Sequence, residues 1–236
     1  MRMFEISKTR GVCELTKRYI AIVCIYVLCV LSPLIPGVAW LAGFFPDRSG
    51  GGIVTTAIFF LTLVIVLLLL LPERHMRRSS RLTAGESFLW AIGGVFALFV
   101  LQILANLINM AIFGKPKESE HTQQIVNVAR TSPLFIFAVS VIGPILEEIV
   151  FRKIIYGALR KKISFLLAAG ISSLIFAVGH FDFQHLLVYF AIGFFLCYVY
   201  QKTGRITVNM FMHAAMNAIV VTVSLNATMP GFIFTL

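Results

Sequence analysis

Apolar residues run along this chain in long unbroken blocks, and polar residues gather in the short gaps between them. Runs of roughly 20 apolar residues reach bilayer-spanning length. Seven candidates fall near 19–44, 53–71, 88–113, 132–151, 163–180, 185–200 and 206–226. The pattern predicts an all-α fold: a polytopic transmembrane helical bundle of about seven spans. The tail 226–236, which contains Pro230-Gly231, is too short to span and reads as an outer tail; an eighth segment elsewhere, or re-entry of this tail, is the alternative. No polar block is long enough for a second domain, so 1–236 is read as a single membrane domain.

Composition agrees with the pattern. The chain is 59% hydrophobic and 13% charged, with a mean hydropathy of +0.93, whereas soluble domains are about half apolar and about a quarter charged. The net charge of +10 does not indicate nucleic acid, because its distribution follows the gaps. With a cytoplasmic N-terminus, the inner segments hold Arg2, Lys8, Arg10, Lys17, Arg18, Arg74, Arg77, Arg78, Arg81, Arg152, Lys153, Arg160, Lys161, Lys162, Lys202 and Arg205. Outer segments hold only Arg48, Lys115, Lys117 and Arg130. This alternation is the positive-inside pattern, and it makes anionic lipid headgroups the natural partners of the basic residues. With seven spans the C-terminus lies outside. The first span is too long for a signal-peptide core and is expected to be retained. Cys13, Cys24, Cys29 and Cys197 form no Cys-x-x-Cys pair and read as small packing residues. Gly114–Thr131, the longest polar stretch, is expected to be an outer loop with an interfacial helical turn, or a cover over the site.

Against this background the acids inside the fourth span stand out. Glu147 and Glu148 are the only charges between Leu134 and Phe151. A carboxylate in hydrocarbon is costly on every insertion scale, so an intramembrane acid marks function by default. Glu148 and Arg152 are four apart, on one helical face. Their pairing would keep Glu148 charged and leave Glu147, about 100° round the helix, in a different environment. The bland alternative is a structural ion pair beside a protonated Glu147. Gly143-Pro144 just upstream predicts a kink.

Further polar residues fall at helical spacings in later spans. His180 closes the fifth, after Gly179, which permits close approach of another helix. Asp182 and His185 beside it are expected to be solvated. His213 and Asn217 lie one turn apart in the last span, and Asn209 continues their face. A rise of about 1.5 Å per residue from the inner span ends puts Glu147 about 20 Å up, His180 about 27 Å and His213 about 12 Å. Straight helices would not align these groups, so convergence needs the Pro144 kink, tilts or an earlier end to the fourth span.

Three motifs now stand in order: Glu147-Glu148-x-x-x-Arg152, Phe176-x-x-x-His180 and His213-x-x-x-Asn217. Together they resemble the CAAX protease and bacteriocin-processing family of intramembrane proteases over residues 132–220, the expected protease core. The resemblance implies an endopeptidase that cuts a membrane protein or peptide, in a multi-pass protein of a bacterial plasma membrane. It implies Glu147 as the base that activates water and His180 as a residue that holds the water. Glu148 with Arg152 would tune the base, and His213 with Asn217 would donate to the oxyanion. No cofactor is required on this reading; zinc held by Glu147, His180 and His213 is the alternative. A short chain with short loops is similar to the bacterial members, which argues against a prenylated substrate. Two rivals remain. One is a catalytically inactive scaffold or bacteriocin-immunity protein of the same fold; the other is a proton-coupled transporter. Oligomeric state is left open.

Overall fold

The computed structural model describes residues 2–45, 49–73, 82–114 and 119–226, with side chains from residue 16 onward. The expectations for Arg48, Arg74, Arg77, Arg78, Arg81, Lys115 and Lys117, for the side chains of Arg2, Lys8, Arg10 and Cys13, and for the tail 227–236 lie outside the described residues.

The described residues form nine helices: α1 (Arg2–Val30), α2 (Pro36–Ala42), α3 (Gly50–Leu70), α4 (Ala84–Phe113), α5 (Glu120–Thr131), α6 (Pro133–Leu159), α7 (Phe165–Val178), α8 (Leu186–Thr203) and α9 (Ile206–Asn226). There is no strand among them. Five (α3, α4, α6, α8 and α9, with the 3-10 turns that extend α3 and α8) are long and apolar enough to cross a membrane. Exposed residues such as Leu89, Phe96 and Leu166 put apolar surface where lipid replaces water. At 14 residues, α7 is shorter, about 21 Å. The predicted 19–44 span is not one helix. α1 stops at Val30, a 3-10 turn covers Ser32–Leu34, and Pro36 opens α2, because Pro33 and Pro36 cannot donate to a continuing helix.

Local chemistry sets several boundaries. Thr83 caps α4 through a reciprocal pair: its Oγ1 accepts from Glu86 N, and Glu86 Oε2 accepts from Thr83 N at 2.7 Å. Gly204 ends α8 in a left-handed conformation (φ 64°), its N–H donating to Tyr200 O. Ser119 caps α5, so the polar stretch forms a helix of 12 residues rather than a single turn.

α6 departs most from ideal geometry. Ala138–Ile142 and Glu148–Tyr156 are π-helical, flanking a short α segment that carries Pro144 and ends at Glu147. The wider π turns on either side accommodate the proline, which has no N–H to donate. Such π segments recur at functional sites.

Two apolar clusters hold the bundle. One joins α4, α8 and α9 through Leu98, Ile192, Leu196, Met212 and Met216. The other joins α1, α3, α6, α7 and α8 through Ile22, Val66, Leu146, Phe176 and Tyr189. They meet along α8, and the intramembrane polar groups lie between them. α7 approaches α8 closely because it presents Ser173 to Gly193, where an added Cβ would meet Ser173 Cβ and Phe176 Cδ1, both at 3.1 Å. Gly179, expected to serve this purpose, faces only its own helix.

Gly193→Leu should push α7 from α8 and destabilise the bundle by about 1–3 kcal/mol. A lower melting temperature in detergent, with Gly170→Leu on the open face of α7 as the neutral control, checks this.

Candidate active site

α6 places Glu147 and Glu148 side by side, yet their surroundings differ sharply. Glu148 has no exposure, and each of its oxygens is engaged. Oε1 lies 3.1 Å from Arg152 Nη1 and accepts from His213 Nδ1 at 2.9 Å. Oε2 accepts from Asn209 Nδ2 at 3.2 Å. Two hydrogen-bond donors from α9 and the Arg152 cation of α6 therefore surround one buried carboxylate, as burial of charge requires.

Arg152 was counted among the inner-loop cations, but it is buried within α6. Its guanidinium lies 4.4 Å from the Phe176 ring centroid, a cation–π contact that strengthens away from water. Phe176 thus has its own part in the Phe-x-x-x-His motif. It supports Arg152 with its ring and receives the Nδ1 of His180 on its carbonyl, at 2.8 Å.

Glu147 has no such clamp. Its side chain is 19% exposed, and its nearest polar neighbour is His213 Nε2 at 3.6 Å from Oε2. That separation is too long for a hydrogen bond, and Oε2 has no hydrogen-bond partner in the protein. One glutamate is a fixed structural anion; the other is a carboxylate left available.

The two histidines share a pattern. A carbonyl and a carboxylate can only accept, so His180 Nδ1–H donates to Phe176 O and His213 Nδ1–H donates to Glu148. In both rings Nε2 is the atom left for chemistry. His180 is held further by Tyr189, stacked at 4.2 Å between ring centroids, and by His121 of α5, edge-on at 5.5 Å. His180, His213 and Asn217 line one small recess with Phe176, Tyr189, Ile192 and Met216. It has about 10 Å³ of room, enough for roughly one water. Glu147 is not among the lining residues and meets the recess through His213.

Sequence reading missed three participants. Asn209 was placed on the right face but given no task, although it bridges Glu148 to Leu196 O of α8 at 2.7 Å. Tyr189 carried no motif. His121 was hidden in a polar stretch whose folding back over His180 has no periodic signature. Asp182 and His185, expected to be solvated, are both buried and bonded to each other at 3.0 Å. Among the described residues no three His, Cys, Asp or Glu side chains are grouped to hold a metal ion, and of Glu147, His180 and His213 only the two histidines line the recess.

Comparison with known proteins follows the same residues. Residues 129–219 match the family model for Type II CAAX prenyl endopeptidase Rce1-like proteins. Over these residues the chain is similar to Rce1-like proteins. A Bacillus subtilis (strain 168) protein named a membrane peptidase, YdiL, is 46% identical over 154 residues, covering 65% of this chain and 63% of YdiL. The membrane-embedded CAAX protease MroQ of Staphylococcus aureus (strain USA300) is 38% identical over 138 residues, 56% of each chain. The aligned parts thus span less than two thirds of these relatives' lengths. No solved structure matches. With five membrane-length helices and bacterial relatives, the chain is a multi-pass protein of a bacterial cell membrane.

Replacing Arg152 leaves Glu148 buried with less compensation. Arg152→Ala should cost about 3–5 kcal/mol, and Arg152→Lys, which restores charge but not stacking on Phe176, should lose less. Thermal melting of the detergent-solubilised variants measures both.

Proposed function

We propose that the chain is an intramembrane endopeptidase that hydrolyses a peptide bond in a membrane-embedded protein or peptide, using water activated by Glu147. The observation that carries this reading is the asymmetry of the glutamate pair. A purely structural pair would engage both carboxylates, whereas Glu148 takes two hydrogen bonds and the Arg152 ion pair and Glu147 Oε2 has no hydrogen-bond partner.

The chemistry follows from the open atoms. His180 Nε2 accepts a hydrogen bond from the water, orienting its other O–H toward Glu147. Glu147 removes that proton as the oxygen attacks the peptide carbonyl carbon. Negative charge moves to the carbonyl oxygen. Asn217 Nδ2 donates to it, and His213 donates through Nε2–H. With His213 Nδ1–H committed to Glu148, donation from Nε2 needs a proton on both ring nitrogens, and that ring lies 2.9 Å from the Glu148 carboxylate. Glu148 thereby acts on the oxyanion through the histidine, and Arg152 lies 3.1 Å from the same carboxylate oxygen. Collapse of the intermediate breaks the C–N bond; protonated Glu147 returns its proton to the leaving amine nitrogen. A recess with room for roughly one water suits this sequence, since bulk water would weaken each electrostatic contact.

The full-length protein in proteoliposomes, incubated with internally quenched apolar peptides in ¹⁸O-water, tests the proposal. Each cut should place one ¹⁸O in the new carboxyl terminus, with none in Glu147 after a single turnover. Glu147→Gln should lower the rate by about 10²–10⁴-fold while leaving the melting temperature within a few degrees. Label appearing in Glu147 would make it a nucleophile instead, and undiminished cleavage by the variant would end the proposal.

A further inference from the structure

His180 is not on a helix. It follows Gly179 in the turn that leaves α7, and Phe181 and Asp182 link that turn to the 3-10 turn Phe183–His185 ahead of α8. Phe181, next in sequence, has φ of 54°, a left-handed conformation that an aromatic residue adopts only when its surroundings hold it there. Three side-chain hydrogen bonds supply that hold. Asn109 Nδ2 of α4 donates to Gln184 O at 2.6 Å. Asp182, buried in the same segment, accepts from Ser119 Oγ at 2.6 Å on Oδ2 and from His185 Nδ1 at 3.0 Å on Oδ1.

Ser119 is also the cap of α5. Its Oγ accepts from Thr122 N at 3.1 Å while donating to Asp182. One hydroxyl thus fixes the first turn of α5 and ties it to the His180 turn, and that turn carries His121 to the edge of the His180 ring. Burial alone would push the Asp182 carboxyl up, but the hydrogen bonds from His185 and Ser119 overcome it and hold the group below its ordinary range. It is therefore an anion throughout the neutral range. Burial pushes the His121 imidazole down, against the pull of Asp182, so it stands neutral beside His180.

Resting on the proteolytic reading above, we propose that Asp182 is a positioning residue. By joining Ser119 of α5 to His185 of α8, it fixes the turn that aims His180 Nε2 at the water and closes α5 over that histidine. It touches neither substrate nor water. Its effect should therefore fall on the chemical step rather than on substrate binding.

The test uses the full chain in proteoliposomes with an internally quenched apolar peptide that the wild type cuts. Asp182→Ala should lower kcat by about 10- to 100-fold with KM within about twofold. Asp182→Asn, which keeps an acceptor for Ser119, should recover part of the loss. Ser119→Ala should fall in the same direction, and the Ser119→Ala/Asp182→Ala pair should be no worse than Asp182→Ala alone, because both remove one link. A wild-type kcat in Asp182→Ala, a change confined to KM, or losses that multiply in the pair would overturn the proposal. If Asp182→Ala does not fold, Ser119→Ala alone decides on the same kcat criterion. A second readout is independent of proteolysis: modification of His180 by diethyl pyrocarbonate, followed by peptide mass spectrometry. The released turn should be modified several-fold faster in Asp182→Ala. If the wild type leaves the peptide uncut, the proteolytic reading loses its support and this rate decides the positioning claim; an unchanged rate overturns it.

Discussion

A carboxylate with no access to water has to be surrounded by donors, and Glu148 obliges the protein to bring them from separate helices. Arg152 comes from one turn further along α6, and His213 and Asn209 come from α9. Each donor is then constrained in turn. Arg152 rests on Phe176 of α7, and Asn209 reaches across to the α8 backbone. Four helices are thereby registered against one another at the depth of one anion. Apolar contacts between helices in lipid gain nothing from expelling water, so this polar centre defines the arrangement more sharply than the aliphatic clusters around it.

The same constraint produces the reactive features. Fixing His213 Nδ1 on Glu148 turns Nε2 toward Glu147, and fixing His180 Nδ1 on the Phe176 carbonyl leaves its Nε2 open. The available carboxylate is the one that the clamp does not need. Two adjacent glutamates in one helix thus acquire different tasks from their surroundings, without any difference in side-chain chemistry.

Much of this was legible in the sequence because helical periodicity carries it. The four-residue spacings Glu148–Arg152 and His213–Asn217 put each pair on one face, and the apolar blocks gave the helices. The break at Pro33 and Pro36 was also present in the letters, but the apolar run around them concealed it. What could not be read depends on contacts between distant segments. The π-helical stretch Glu148–Tyr156 has no sequence signature, and it changes the turn on which Glu148 and Arg152 sit. Asp182 and His185 look like solvated turn residues until Ser119 and α5 are folded over them. His121 and Tyr189 reach His180 only through tertiary packing.

The central claim is that this polar centre cuts peptide bonds and that Glu147 does the work. Its most direct measurement compares new peptide termini, by mass spectrometry, in host membranes holding the wild type or Glu147→Gln at matched expression and fold. The account predicts a set of termini found only with the wild type, clustered within or at the edge of apolar segments of membrane proteins. Identical termini in the two membranes, with the host's membrane proteins well sampled, would contradict it and leave a scaffold with a buried polar clamp.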